Sequence, residues 1–209
     1  NKNSSGVLGD NRDAAGYYSL WTAKAAFVNC TFYENKVIGG QRGGALNVNS
    51  GDLDVISCTI HKNDGKSTGG GVQIRTADAK VRIYNSVIAG NIATTAGMED
   101  IGYDNESAAR AVIRNSVVGA AVYDAGGSIA EGAQFDAATM FGSFGDNGGH
   151  TSTIALTGSD NPAVTGGMSA SELSALAKDT LVPAADAGLV TKDQTGADRS
   201  GRQMGACVR

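Results

Sequence analysis

The chain has 209 residues, a net charge of −4 and a pI near 5.1, and its lysines and arginines are scattered, so no basic footprint for nucleic acid or anionic lipid exists. Thirty glycines and 6% aromatic residues depart from an ordinary enclosed globule, while 41% hydrophobic residues exceed what a disordered chain carries. That balance points to a β-rich repeat, and no stretch reaches the roughly 20 apolar residues of a membrane span.

The sequence begins at Asn1 rather than Met and shows no charged-then-apolar signal segment, which reads as a processed or trimmed piece of a longer protein. The first strand is expected near Tyr17, within AGYYSL at 15–20. It enters partway through a repeat, so upstream residues or another chain are expected to cover that end. A pattern then recurs every 28 residues: NCTFYEN at 29–35, SCTIHKN at 57–63 and NSVIAGN at 85–91. The shift aligns Ala25 with Leu53 and Val81, Phe27 with Val55 and Ile83, and Phe32 with Ile60 and Ile88. Cys30, Cys58 and Ser86 form another column, and a fourth copy follows through Ala111, Ile113, Ser116 and Val118 before fading at Ala121. Glycine-led strands precede the copies, GGALNV at 43–48 and GGGVQI at 69–74, and length differences fall between strands, as in loops.

Apolar residues alternate over short runs with a break of phase at Ile56–Ser57, and a change of phase means a bend. Three short strands and two bends per period describe an all-β fold, a right-handed parallel β-helix of the pectate-lyase-like kind, with about four coils over residues 1–134. Equivalent side chains then stack about 4.8 Å apart. Asn35, Asn63 and Asn91 are expected to form a ladder at a turn, where asparagine tolerates left-handed backbone. A leucine-rich repeat lacks its LxxLxL signature here, and a β-sandwich would carry no such echo. The cysteine count is odd, and stacked Cys30 and Cys58 are expected as free buried thiols, because in-register neighbours sit farther apart than the ~3.8 Å Cβ separation of a disulfide.

Residues 135–209 are irregular and glycine-rich, suited to capping the exposed end of a stack. Within them SASELSALAKD at 169–179 predicts a short helix, with Ser169 and Glu172 at capping-box spacing and an apolar face of Leu173, Leu176 and Ala177. Asp146, Asn147, Asp193 and Arg199 read as turn and hydrogen-bonding residues rather than a calcium loop, for which the spaced carboxylates are missing.

GGAL at 43–46 paired with FYEN at 32–35 resembles the GGA[ILV] and FxxN repeats of polymorphic outer-membrane proteins. FGDNGGHTSTIAL at 144–156, DNPAV at 160–164, AADAG at 184–188, DQTGADR at 193–199 and GAC at 205–207 resemble the run that ends many bacterial surface β-helix proteins with a choice-of-anchor Q domain. Asp160-Asn161-Pro162 stands where that run has Ser-Pro, and GACVR replaces its ending. The resemblance implies a bacterial cell-surface protein, on the extracellular side of the outer membrane, or a secreted one. Asp179-Thr180-Leu181 also resembles the O-glycosylation acceptor of Bacteroidota.

For chemistry, a polysaccharide lyase would need a base and a charge-stabilising cation on one face. His61, Arg75, Lys80 and Arg82 are the candidates, but they fall on different strands of the repeat. His150 stands in DNGGHT, and no CxxC, HExxH or phosphate loop occurs. Tyr33 and Tyr84 are placed outward by the alternation and would stack on sugars. The expectation is therefore a non-catalytic adhesin or component of an outer-membrane surface assembly, binding glycan or protein through Tyr33, His61, Arg75, Arg82, Tyr84 and the loops at 36–42, 64–68, 92–99 and 104–110, without metal or cofactor. The alternatives are a carbohydrate-active enzyme, either a polysaccharide lyase or a glycoside hydrolase or a fragment of one, and an inert stalk.

Overall fold

The computed structural model describes residues 15–39, 42–104, 111–119, 128–130, 134–158 and 160–207. The repeat becomes three parallel sheets, each built from one strand per coil. The first holds β1 (Tyr17–Ser19), β4 (Leu46–Val48), β7 (Val72–Ile74) and β10 (Ile101–Tyr103). The second holds β2 (Lys24–Val28), β5 (Gly51–Ile56), β8 (Ala79–Tyr84) and β11 (Ala111–Arg114). The third holds β3 (Thr31–Tyr33), β6 (Thr59–His61), β9 (Val87–Ala89), β12 (Val117–Val118) and β13 (Ile129–Ala130). Together they form a parallel β-solenoid of about three turns.

The register is the one the sequence shift predicts. Ala25 pairs with Leu53, Leu53 with Val81 and Val81 with Ala111; Phe27, Val55, Ile83 and Ile113 follow, as do Phe32, Ile60, Ile88 and Val118. These inward columns make the core. A one-residue slip would turn every one of them outward, so burial of one face holds the register. The column headed by Cys30 and Cys58 continues as serines that bridge coils: Ser86 Oγ accepts the Cys58 N–H at 3.0 Å, and Ser116 Oγ accepts the Ser86 N–H at 3.1 Å. Cys30 and Cys58 are free thiols.

The phase break is a column of left-handed residues, Asn29, Ser57, Asn85 and Asn115, with φ between 47° and 54°. Each turns the chain from the second sheet to the third. A second left-handed column, Glu34, Lys62 and Gly90, precedes the ladder asparagines. Here the expectation needs correcting: Asn35, Asn63 and Asn91 do not adopt the left-handed backbone themselves, but follow the residue that does. Their ladder is present, with Asn63 Oδ1 accepting Asn35 N–H at 3.0 Å and Nδ2 at 2.8 Å, and Asn91 Oδ1 accepting the same two groups of Asn63 at 3.0 and 2.9 Å.

The C-terminal residues form α1 (Ala137–Met140), an antiparallel hairpin of β14 (Phe141–Gly145) and β15 (Thr153–Leu156), α2 (Pro162–Thr165), α3 (Ala170–Ala177) and a 3-10 helix at Ala184–Thr191. The capping box is complete: Ser169 Oγ accepts the Glu172 N–H and Glu172 accepts the Ser169 N–H at 2.7 Å. The sequence reading placed 135–209 over an end of the stack. Their described contacts instead run along its flank, from Asn29 in the first coil, whose Nδ2 reaches Leu189 O, to Asn115 in the last, whose Nδ2 reaches Gly166 O. The physical reason lies in the outward columns of the second and third sheets, which carry apolar residues that need covering. Leu173, Ala177, Val182 and Val190 cover Ile56 and Tyr84, while Phe141, Ile154, Ala163 and Met204 cover Val87, Ala89 and Val117.

Arg199 fastens this arm. It is buried and donates to Lys192 O (2.9 Å), Gln203 O (3.2 Å), Gly205 O (2.7 Å) and Asn29 Oδ1 (3.1 Å). Burial pushes its pKa down to about 10, still far above neutrality, so it donates as a cation. Asp193 Oδ1 organises the turn before it, accepting from Thr195 and Ala197 N–H at 2.8 and 3.1 Å. Asp146 and Asn147 do the same for the hairpin, through Gly148 N–H and Thr153 O.

Candidate functional site

The solenoid distributes the predicted site residues over three different sheets. Tyr33 and His61 stand in register on β3 and β6, on the outward side of the third sheet. They lie in a run of rings: Phe144 stacks on Tyr33 with centroids 4.6 Å apart, Tyr33 is 5.9 Å from His61, His61 is 4.3 Å from Phe141, and Phe141 is 5.2 Å from Phe135. Lys62 Nζ sits 5.7 Å from the Tyr33 centroid. One face of Tyr33 is thus stacked by the chain's own Phe144, and burial, helped by Glu34, raises its pKa. His61 is only 6% exposed and its Nδ1 lies 2.8 Å from Ala89 O. A carbonyl only accepts, so Nδ1 carries the proton of this hydrogen bond.

Beside this run lies an open groove of about 760 Å³, lined by His61, Lys62, Gly90, Phe135, Asp136 and Phe141 among others. Gly90 shapes it. Its φ is +66°, and a Cβ there would stand 2.9 Å from His61 Cε1 and 3.0 Å from the Ala137 Cβ, so a side chain would collide with the groove wall. Asp136 caps α1, accepting the Ala138 N–H at 2.9 Å. Among the described residues the groove presents aromatic surface beside Lys62 and Asp136.

Arg82 and Tyr84 sit on the outer face of the second sheet, where the arm covers them. Tyr84 was expected exposed; it is 6% exposed, because α3 packs over it, and that burial raises its pKa. Arg82 Nε donates to Asp54, a fully buried carboxylate that also accepts the Leu181 N–H at 2.6 Å. Burial pulls the Arg82 pKa down, Asp54 raises it, and the net is upward. Thr180, in the glycosylation-like triplet, donates to Ala177 O at 2.8 Å beside this junction.

Arg75 follows the first sheet. Its Nε donates to Asp104 at 3.1 Å, Arg42 pairs with the same carboxylate, and Gln73 Nε2 reaches the other oxygen at 2.8 Å. The structure thus brings together Tyr33 with His61 and Arg82 with Tyr84, and leaves Arg75 apart from both. Lys80, also a candidate cation, pairs in register with Asp52 on β5. Among the described residues no three His, Cys, Asp or Glu side chains gather as a metal site, and no helix is long and apolar enough to cross a membrane. Of the candidate loops, residues 40–41 and 105–110 lie outside the described residues.

Sequence reasoning missed Asp54, Asp104 and the two hairpin phenylalanines. Asp54 was legible in principle, since the 28-residue shift sets it opposite Arg82. Asp104 and Phe141 lie outside the regular copies, where no repeat marks them. No protein-family model, no curated protein and no solved structure matches the chain.

Proposed function

We propose that this chain is a non-catalytic surface or secreted β-helix protein, an adhesin or a component of an outer-membrane surface assembly, that binds glycan or protein. The observation that carries this reading is how the candidate catalytic side chains are used. His61 packs between rings, Arg82 ties Asp54 to the C-terminal arm, and Arg75 shares Asp104 with Arg42. A lyase needs its base and cation free to meet one substrate atom; these groups are each engaged by other side chains at separate places on the solenoid. What remains for contact is the groove beside His61 and the loops between strands, suited to many modest contacts.

The resemblance to choice-of-anchor Q surface proteins, and to the repeats of polymorphic outer-membrane proteins, supports the same reading. Of the motif residues it rests on, Asp146, Asn147 and Asp193 hold turns within the arm and Arg199 ties the arm to Asn29 of the solenoid, so they speak for architecture rather than catalysis. The test is to probe arrayed acidic and neutral glycans with the purified chain and to assay the same polymers for new reducing ends or unsaturated product. Saturable binding without product is expected; turnover of any polymer overturns the reading. Protease shaving of intact source cells should remove the protein, and full protection would overturn its placement at the surface.

A further inference from the structure

The asparagine ladder has a direction. Each Oδ1 accepts the backbone N–H and Nδ2 of the asparagine one coil nearer the N-terminal end. At the far end the ladder closes on Asp100, whose Oδ1 takes the Asn91 N–H and Nδ2 at 3.1 and 2.7 Å and whose Oδ2 takes the Gly119 N–H at 3.0 Å. A carboxylate has no N–H to pass on, so the ladder stops there. At the near end it does not close. Asn35 is 2% exposed, and its Oδ1 is buried with no hydrogen-bond partner among the described residues. Asn35 lines a cavity of about 240 Å³ with Gly16, Phe27, Cys30 and Phe32. Buried acceptors are rarely left without donors, and this one repeats an acceptor that is filled twice over in each following coil.

Other features share that end. β1, β2 and β3 are the terminal strands of their sheets, each pairing on one side only among the described residues. The interior rings there, Tyr17, Phe27 and Phe32, are only partly buried. Leu20 and Trp21 are 38% and 80% exposed where the next coil carries Asn49 and Ser50. Lys24 begins a charge column that alternates through Asp52 to Lys80.

We propose that this end is a docking surface for a partner polypeptide, which adds one further parallel coil and donates an asparagine N–H and carboxamide to Asn35 Oδ1. The proposal deepens the assembly reading above and rests on it. The same pattern specifies the rest of the partner: apolar residues against Phe27 and Phe32, an acid against Lys24, and apolar surface against Leu20 and Trp21. A second copy of this chain is the wrong partner. Its C-terminal end closes its ladder on Asp100, which offers no side-chain donor, and its N-terminal end offers another acceptor.

The probe is a synthetic peptide copying residues 43–67, which holds one coil with Asn63 and Asp52 and contains no tryptophan. Trp21 is the only tryptophan of the protein, so its emission reports on the first coil. Titration should give a saturable blue shift, and peptides carrying Asn63→Ala or Asn63→Asp should bind about 10- to 30-fold more weakly, the loss of one or two buried hydrogen bonds. No binding by the parent peptide, or equal binding by all three, overturns the proposal. So does self-association of the protein alone in sedimentation equilibrium with Trp21 shielded. Glycan binding reads the broader function separately: it survives a failed docking, and docking survives glycan turnover.

Discussion

Asn63 is the rung on which the ladder's energetics can be measured. It is fully buried, and its side chain makes five polar contacts: the two Nδ2 protons are shared among Phe32 O (3.0 Å), His61 O (3.1 Å) and Asn91 Oδ1 (2.9 Å), and Oδ1 accepts from Asn35 N (3.0 Å) and Nδ2 (2.8 Å). Each is worth about 1 kcal/mol net, and Asn63→Ala also strands donors of Asn35 in a buried site, so the loss should be about 3–5 kcal/mol. Asn35→Ala removes one donated side-chain bond and leaves the backbone N–H in place, so it should cost only about 1 kcal/mol. For a chain of this size those losses correspond to drops in Tm of about 6–20 °C and 2–4 °C. Asn63→Asp keeps the acceptor, loses the donors and sets a carboxylate against two carbonyls, so it should be at least as damaging as alanine. Urea and thermal unfolding followed by far-UV circular dichroism read all three. If Asn63→Ala and Asn35→Ala differ by less than about 1 kcal/mol, the ladder is not the source of stability argued here.

The arm offers three further tests. Arg82→Met leaves Asp54 buried with only the Leu181 N–H, and should cost about 2–3 kcal/mol, discounted from the usual loss because Arg82 is partly exposed; adding Asp54→Asn should cost less than the sum, which a double-mutant cycle measures. The Glu172 carboxyl is held below its usual value of 4.5 by the Ser169 N–H first, with Arg202 contributing. A lowered folded pKa supplies stability above the unfolded value and loses it as pH falls through the folded one, so α3 should become protease-sensitive in acid. Glu172→Gln should flatten that dependence while leaving neutral-pH digestion of the solenoid unchanged. Burial raises the Cys58 thiol well above its usual range, while a hydrogen bond to Cys58 lowers that of partly exposed Cys30. Iodoacetamide should therefore alkylate Cys30 in the folded protein and reach Cys58 and Cys207 only in denaturant, which peptide mapping will show.

The 28-residue echo sufficed to predict the sheets, their register and the ladder, because in a solenoid each residue meets its own counterpart one period away. Sequence separation there is a direct readout of contact. The capping box of α3 was equally legible, since its partners lie within one turn. The candidate binding residues were not. Alternation put Tyr33 and Tyr84 on the outside of the coils, but outside a coil is not outside the protein. The arm from 135 to 207 lies against those faces through contacts distant in sequence, such as Met168 with Asn85, 83 residues apart, and Arg199 with Asn29, 170 apart. No period connects such partners. The sequence alone determined which residues stack upon one another. Only the tertiary structure decided which of the remaining faces stay open, because covering them depends on where an irregular segment finds apolar surface and buried acceptors to satisfy.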